Sequence, residues 1–178
     1  MKVHEDHKQK APKEINLALV VVSTSRYAEI QNDKESSDKT IPLVKKIIKE
    51  HPVFSVVHTE IIADSKDQIN QVLKTLINDS TVDVIIFSGG TGLSPKDITY
   101  EILEPQLEKK FHGFGEIFRS LSYNEIGTSA MLSRATAGIL HKKVIFLLPG
   151  SPNAVKLALE KLIIPELGHI LYLINKEE

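Results

Sequence analysis

The stretch "FSGGTGLSPKDIT", residues 87–99, comes directly after the apolar run 82–87, which has the length and the branched side chains of a buried β-strand. Its centre, the glycine loop, consists of Gly89, Gly90, Thr91 and Gly92. A backbone without Cβ atoms can take positive φ, approach a ligand closely and turn its N–H groups towards an anion. A tight turn that binds nothing would use the same residues, so the glycines alone leave both interpretations open.

Strand and helix patterns alternate along the rest of the chain. Residues 15–22 form an apolar run of strand length, and residues 55–62, 82–87 and 144–148 are predicted as further strands. Helical spacing of apolar residues marks 41–48, 69–77 and 155–163. A further helical region begins near Thr99, which is placed to cap it, and Pro105 should interrupt this helix. The alternation predicts a three-layer α/β/α fold with a mostly parallel sheet that helices cover on both faces.

The composition suits one globular domain. Of the 178 residues, 42% are hydrophobic and 25% are charged, and the net charge of −1 argues against a general binder of nucleic acid or membrane surfaces. The chain has no cysteine, which excludes disulfides and thiolate chemistry. No apolar run is long enough to span a membrane, and the N-terminus lacks the apolar core of a signal peptide, so we expect a cytoplasmic location.

Two segments depart from the alternating pattern. Residues 1–14 are polar and carry charges of both signs, which predicts a disordered tail in front of a single domain, residues 15–178. The segment from Gly113 to Gly138 reads as irregular and is too long for an ordinary connection. We therefore expect it to hold a small subdomain or a subunit contact.

A second loop of similar design follows the last predicted strand, in "FLLPGSPNA". Pro149 and Gly150 turn the chain, Ser151 is a favourable N-cap, and Pro152 suits the first helical position. Ligands of parallel sheets bind beyond the carboxyl ends of the strands, where both loops are expected. Two anion-receptive loops at one edge favour a ligand with phosphates at both ends, or two phosphorylated ligands.

Two carboxylates are expected at the same edge. Asp64 directly follows a predicted strand, and Asp97 lies five residues after the glycine loop. Carboxylate oxygens hold Mg²⁺, which bridges phosphate oxygens. Each aspartate alone is more often a cap or a turn residue, and Asp38 and Asp67 are near competitors. The coincidence with strand ends favours Asp64 and Asp97 as catalytic and metal-binding residues.

Taken together, these blocks resemble the family of molybdenum cofactor biosynthesis protein B and MogA, to which the G domains of gephyrin-type proteins are related. "SGGTGLSPKDIT" is similar to the family's Gly-Gly-Thr-Gly block, "LPGSPNA" to its Pro-Gly-x-Pro block, and "DKTIP" has a counterpart near the first helix. "GFGEIFRSLSYNEIGTSAMLSRATAG" is similar to the protein B branch in particular. The resemblance runs from about residue 15 to about residue 168.

The resemblance implies a homotrimer, or a hexamer, of three-layer α/β domains that bind molybdopterin. It implies transfer of an adenylyl group from MgATP to molybdopterin, which gives adenylyl-molybdopterin and pyrophosphate. The family's two catalytic aspartates fall on Asp64 and Asp97. We expect the ligand pocket to be formed by both loops together with Ser94, Glu116, Ser133 and Arg134, the last suited to a phosphate or to a subunit contact.

Two other functions stay open at this point. A non-catalytic trimer would hold molybdopterin or act as a docking scaffold, as gephyrin-type domains do, although retention of both aspartates favours an enzyme. A nucleotide-processing enzyme of the competence-damage group would share the domain, but the block "EIGTSAMLSR" argues against it. The sequence does not distinguish molybdenum from tungsten in the finished cofactor.

Overall fold

A six-stranded sheet forms the centre of the structure, a computed structural model that describes residues 12–176. Its strands are β1 (Ile15–Val22), β2 (Phe54–Ile62), β3 (Val84–Ser88), β4 (Lys109–Lys110), β5 (Thr136–Leu140) and β6 (Lys143–Leu148). The order across the sheet is β2-β1-β3-β6-β5-β4. The first four strands in that order are parallel, whereas β5 and β4 pair in antiparallel fashion. The parallel strands are those that the sequence predicts, so the mostly parallel α/β/α fold is confirmed.

Helices cover both faces of this sheet. Within residues 12–176 they are α1 (Thr24–Gln31), α2 (Thr40–Lys49), α3 (Lys66–Asn78), α4 (Thr99–Leu103), α5 (His112–Ile126), α6 (Pro152–Ala158) and α7 (Ile164–Asn175). Short 3₁₀ turns follow α4 (Glu104–Gln106) and α5 (Gly127–Leu132), and a π-helical turn (Leu159–Ile163) joins α6 to α7. Helix α4 stops two residues before Pro105, as the sequence predicts. None of these helices is long and apolar enough to cross a membrane.

Strand β1 shows how the sheet builds two cores. Successive side chains of a strand point to opposite faces, so an uninterrupted apolar run is buried on both sides. Leu17, Leu19 and Val21 join one core with α2, α6 and α7, whereas Ala18, Val20 and Val22 join the other core with α3. From Leu17 to Val22 the run is apolar throughout because neither face of this part of β1 meets solvent.

The hairpin of β5 and β6 was not expected from the sequence. Its two turn residues, His141 and Lys142, both have positive φ, at 49° and 62°. Two-residue hairpin turns of this kind favour Asn-Gly or Asp-Gly, so a His-Lys pair gives no turn signal. Strand β4 is only two exposed residues long and gives no signal either.

The segment from Gly113 to Gly138 is regular, which corrects the expectation of an irregular segment. It is built from α5, a 3₁₀ turn and β5. Glycine lowers helix propensity, and α5 contains two glycines, which hides its pattern. Gly115 is needed for packing, because a Cβ there would lie 2.6 Å from the carbonyl oxygen of Ala135. The expected subunit contact stays a prediction, and most of the predicted tail (residues 1–11 of 1–14) lies outside the described residues.

Candidate active site

The two loops meet at the carboxyl ends of adjacent parallel strands. The N–H of Gly89 donates to the carbonyl oxygen of Leu148 at 3.0 Å, and Ser88 Oγ donates to the carbonyl oxygen of Pro149 at 3.2 Å. A Cβ on Gly150 would lie 3.2 Å from Gly89 Cα, so the two loops are in contact. The sequence elements at residues 89–92 and 149–151 therefore form one site.

The glycine loop has the backbone conformation that its composition predicts. Gly89 and Gly90 take positive φ, at 110° and 64°. The N–H groups of Gly90, Thr91 and Gly92 have no acceptor among the residues that the structure describes. Thr91 is buried, and its Oγ1 donates to the carbonyl oxygen of Leu148 at 3.4 Å. The loop is thus anchored to β6 and keeps backbone donors free for a ligand.

Helix α6 begins beside the glycine loop. Ser151 has extended backbone geometry, and its Oγ accepts a hydrogen bond from the N–H of Ala154 at 3.2 Å. Pro152 occupies the first turn. The N-cap prediction is confirmed, and the positive end of the helix dipole lies at the cleft.

Asp97 lines the cleft beside the glycine loop. A Cβ on Gly92 would lie 2.3 Å from Asp97 Oδ2, so only glycine leaves room for the carboxylate there. The backbone N–H of Asp97 donates to the carbonyl oxygen of Ser94 at 2.9 Å, which forms the turn that places it. No donor among residues 12–176 is hydrogen-bonded to the Asp97 carboxylate, so its oxygens are free for a metal ion.

Asp64 approaches the same loop from the side of β2. A Cβ on Gly90 would lie 2.6 Å from Asp64 Oδ2. Asp64 Oδ1 accepts from the N–H of Ile98 at 3.3 Å, which ties the carboxylate to the chain that follows the loop. Burial raises the pKa of Asp64, and the charges of Asp97 and Glu101 raise it further, whereas the Ile98 hydrogen bond lowers it. The ionised form of Asp64 is therefore costly without a counter-charge, and a bound cation in place of the proton would stabilise it.

The donor set suits magnesium bound partly by water and substrate. Within the described residues no group of three or more His, Cys, Asp or Glu side chains is arranged to hold a metal ion. Two carboxylates, Asp64 and Asp97, are nevertheless enough for Mg²⁺, which usually keeps several waters and binds phosphate oxygens. The residues present fit this metal.

Arg134 and Ser133 also line the cleft. Arg134 Nε donates to the carbonyl oxygen of Thr91 at 2.9 Å, and its Nη2 donates to the carbonyl oxygen of Gly92 at 2.6 Å. The same guanidinium pairs with Glu101 of α4. Its donors are therefore directed mainly at the protein.

Three expected contributors are placed differently from the prediction. Ser94 is exposed, lies outside the cleft and accepts from the N–H of Lys96 at 3.3 Å. Glu116 is exposed and is two residues from Phe118, which puts it on the opposite side of α5 from the cleft, because each residue turns the helix by about 100°. Thr99 does not cap α4; it is the first helical residue, is fully buried, and its Oγ1 has no partner within the described chain.

The cleft, with a volume of about 490 Å³, also has a wall that the sequence did not reveal. This wall consists of Phe118, Ser122, Ile126, Ser129 and Leu132. Those that belong to α5, Phe118, Ser122 and Ile126, recur every four residues. This is a helical spacing, which the glycines of α5 hide in the sequence. The cleft is also lined by Arg26 and by Ser23 and Ser25, whose position at the end of the first strand already suggests from sequence that their hydroxyls could meet a ligand. Arg26 pairs with the buried Asp38 at 3.3 Å, which explains the acidic residue of the "DKTIP" block.

A larger groove of about 580 Å³ lies elsewhere. Its walls come mainly from α5, α7 and the β4–β5 edge, with apolar side chains such as Phe111, Ile170 and Leu173. It contains none of the residues that the sequence predicts for the site. The residues predicted from the sequence therefore favour the smaller cleft as the candidate site.

Comparison with known proteins agrees with this geometry. Residues 18–169 match the family model described as "Probable molybdopterin binding domain". The chain belongs to this family. The match covers the whole sheet except for the first residues of β1 and includes every residue of the cleft.

Individual family members are similar over almost their whole length. The chain is 42% identical to molybdenum cofactor biosynthesis protein B of Bacillus cereus, with 97% of this chain and 98% of the relative covered. It is 46% identical to a protein of Methanocaldococcus jannaschii named "Probable molybdopterin adenylyltransferase", with coverages of 89% and 93%. A crystal structure of the "tungsten cofactor synthesizing protein MoaB" from Pyrococcus furiosus superposes with a TM-score of 0.81 at 36% identity, covering 93% and 100% of the two chains.

Proposed function

We propose that this family member is a molybdopterin adenylyltransferase of molybdenum cofactor biosynthesis. The observation that carries the proposal is the position of two carboxylates, Asp64 and Asp97, against one anion-receptive glycine loop. The name of the Methanocaldococcus jannaschii relative supports the same reaction. A scaffold that only holds molybdopterin would have no need for a partly buried carboxylate at Asp64 whose ionisation is costly.

The proposed reaction joins two phosphates. A terminal phosphate oxygen of molybdopterin attacks the α-phosphorus of ATP, the bond from that phosphorus to its bridging oxygen breaks, and pyrophosphate leaves. The attacking phosphate is already ionised at neutral pH, so no general base is required. The protein contributes mainly by positioning the reactants and by stabilising their charge.

The residues that line the cleft divide this work with Asp64, which does not line the cleft but lies beside Gly90 of the glycine loop. Asp64 and Asp97 would hold Mg²⁺, which when bound offsets the negative charge of the leaving pyrophosphate. The free N–H groups of residues 90–92 and the start of α6 at Ser151 orient phosphate oxygens. Arg26 supplies a positive charge on the opposite wall, where Asp38 holds its side chain in place.

The assembly and the location belong to the same proposal. We expect a homotrimer, or a hexamer, because large apolar side chains are exposed along residues 117–132, among them Ile117, Tyr123 and Met131. The ATP requirement favours the cytoplasm. The finished cofactor carries molybdenum or tungsten, and the cleft, which meets only the organic ligand and nucleotide in this reaction, does not select between them.

The direct test is to incubate the pure protein with molybdopterin, ATP and Mg²⁺ and to detect adenylyl-molybdopterin by mass spectrometry. Asp97→Ala should lower turnover at least about a hundredfold, because a transition-state charge loses its counter-ion site. Asp67→Ala is the matched control, since Asp67 is exposed in the first turn of α3 and lies outside the cleft. Circular dichroism should show that both variants keep the fold.

Two outcomes would contradict the proposal. Normal turnover in Asp97→Ala would remove that carboxylate from the mechanism. A wild-type protein that forms no product, and gives no heat of MgATP binding in isothermal titration, would instead be a non-catalytic molybdopterin holder or scaffold.

A further inference from the structure

Arg134 connects three separate parts of the site. It precedes β5, it donates to the carbonyl oxygens of Thr91 and Gly92 in the glycine loop, and it pairs through both Nη atoms with Glu101 of α4. Its guanidinium carbon also lies 4.8 Å from the ring centroid of Tyr100, next to Glu101 on the same helix. A planar guanidinium with five donors suits such a junction, whereas an ammonium group does not.

These contacts use most of the guanidinium's donors. Two N–H groups donate to carbonyl oxygens of the loop, and the outer edge of the guanidinium donates to the carboxylate of Glu101. The hydrogen bond with Arg134 also lowers the pKa of Glu101, so the pair stays charged at neutral pH. Little of Arg134 is left to bind a substrate phosphate.

The loop carbonyls matter because peptide units are rigid. In a planar trans peptide the C=O and the following N–H point in opposite directions. When Arg134 holds the carbonyls of Thr91 and Gly92, it also sets the directions of the N–H groups of Gly92 and Leu93. Those amides have no acceptor within the described residues, so their directions would otherwise be set only by the flexible glycine backbone.

We propose that Arg134 is a positioning residue, held by Glu101, that fixes the backbone N–H groups of Gly92 and Leu93 at the end of the glycine loop and is not itself a phosphate ligand. The consequence for catalysis rests on the function proposed above. The structural part, a brace on the loop, does not depend on that function. An experiment can therefore contradict the catalytic consequence without contradicting the structural brace, and the reverse.

The first test compares Arg134→Lys with Arg134→Gln. Lysine keeps the positive charge but cannot donate to two carbonyls and a carboxylate in one plane. If Arg134 is a brace, both variants should lose about tenfold or more in kcat, and lysine should give no rescue. If Arg134 is a phosphate ligand, lysine should restore most of the activity, and that rescue would overturn the proposal.

The second test uses Glu101→Gln, for which the two roles predict opposite signs. Release of Arg134 from Glu101 should loosen a brace and lower kcat, whereas it should free a phosphate ligand and tighten MgATP binding. Glu104→Gln is the matched control, because Glu104 lies three residues further on and pairs with Lys110 at 2.7 Å, away from the loop. Tighter nucleotide binding in Glu101→Gln would contradict the brace.

The third test needs no activity. Amide hydrogen exchange is measured in the ligand-free protein at Gly89 and Thr99, whose N–H groups are bonded to Leu148 and Gly90 at either end of the loop. Exchange should be about tenfold faster in Arg134→Gln and Glu101→Gln, but not in Glu104→Gln, because hydrogen bonds to a charged donor are lost. Unchanged exchange in both loop variants would refute the brace, whether or not the wild type is an adenylyltransferase.

Discussion

At the scale of single residues, Asp64 shows a conflict between stability and function. Burial and two neighbouring acids, Asp97 and Glu101, make its ionisation costly, and together they raise its pKa. The hydrogen bond from Ile98 offsets only part of that cost. A residue kept in such a place is poised for a cation, which would remove the penalty when it binds.

Asp64→Asn should therefore stabilise the ligand-free protein at neutral pH. The raised pKa means that the native state holds the proton more tightly than the unfolded state, so wild-type stability falls as the pH rises from the ordinary value of 3.8 through the raised one. Asparagine does not ionise, and its Oδ1 can still accept from Ile98. Its gain in melting temperature should be largest near pH 7 and should vanish as the pH falls towards 3.8.

Asp79→Asn is the control, because the opposite change in stability is expected for it. Hydrogen bonds from the Thr81 hydroxyl and N–H, at 2.7 and 2.9 Å, lower the pKa of Asp79. Its ionised form stabilises the fold above the ordinary pKa, and that stability is lost as the pH falls. This variant should melt below the wild type at neutral pH. A loss of stability in Asp64→Asn at pH 7, or a gain independent of pH, would show that Asp64 is not strained by its charge.

The acids could be located from sequence because they depend on local order. Each follows a strand or a strand-end loop, and parallel strands end at one edge of the sheet. The brace by Arg134 could not be predicted, because it joins residues 43 positions apart and because Arg134 directly precedes β5, whose hairpin with β6 gives no turn signal. The positive charge of Arg134 suggests from sequence that it binds a phosphate, whereas in the structure its side chain contacts the glycine loop.

At the scale of elements, the two glycines of α5 have different physical roles. A Cβ on Gly115 would collide with the carbonyl oxygen of Ala135, so α5 packs closely there. A Cβ on Gly113 would meet nothing within 4 Å. The first glycine is required by packing, whereas the second only weakens the helix. From sequence alone the two are equivalent, and both hide the helical pattern of α5 because glycine has a low helix propensity.

The paired substitutions Gly113→Ala and Gly115→Ala should thus have opposite effects. Gly113→Ala should raise the free energy of unfolding by about 0.5 kcal/mol, because alanine has less freedom to lose on folding. Gly115→Ala should lower it by about 1–3 kcal/mol, because α5 must move away from Ala135. Urea denaturation measures both. Equal changes of the same sign would mean that helix propensity alone governs this helix.

Elements with regular periodicity were predictable and the others were not. Strands β1, β3 and β6 are almost continuous apolar runs because both of their faces are buried, and that pattern needs no tertiary information, whereas the edge strand β2 is partly exposed and mixes polar with apolar residues. The antiparallel edge relies on a short β4 and on positive φ at His141 and Lys142, conformations that only the folded hairpin reveals. The sequence therefore predicts the four parallel strands and misses the two strands of the antiparallel edge.

At the scale of the whole molecule, α5 and the turn that follows it expose several large apolar side chains. Met131 is 77% exposed, and Ile117, Tyr123, Ile126 and Leu132 are each more than half exposed. All five come from α5 and the turn that follows, the segment where the sequence predicts a subunit contact. Such clusters on soluble proteins mark association surfaces. Ile126 and Leu132 also line the cleft, so association here would lie next to the site.

Met131→Glu should consequently separate the proposed trimer into monomers, because a charge buried in an apolar contact is left unpaired. Light scattering coupled to gel filtration should give three times 19.9 kDa for the wild type and 19.9 kDa for the variant. Val57→Glu is the control, since Val57 is 46% exposed on β2, at the opposite edge of the sheet. A Met131→Glu protein that stays trimeric would place the contact elsewhere, and a monomeric wild type would refute the trimer. If the variant is monomeric but still forms adenylyl-molybdopterin, each cleft is complete within one chain.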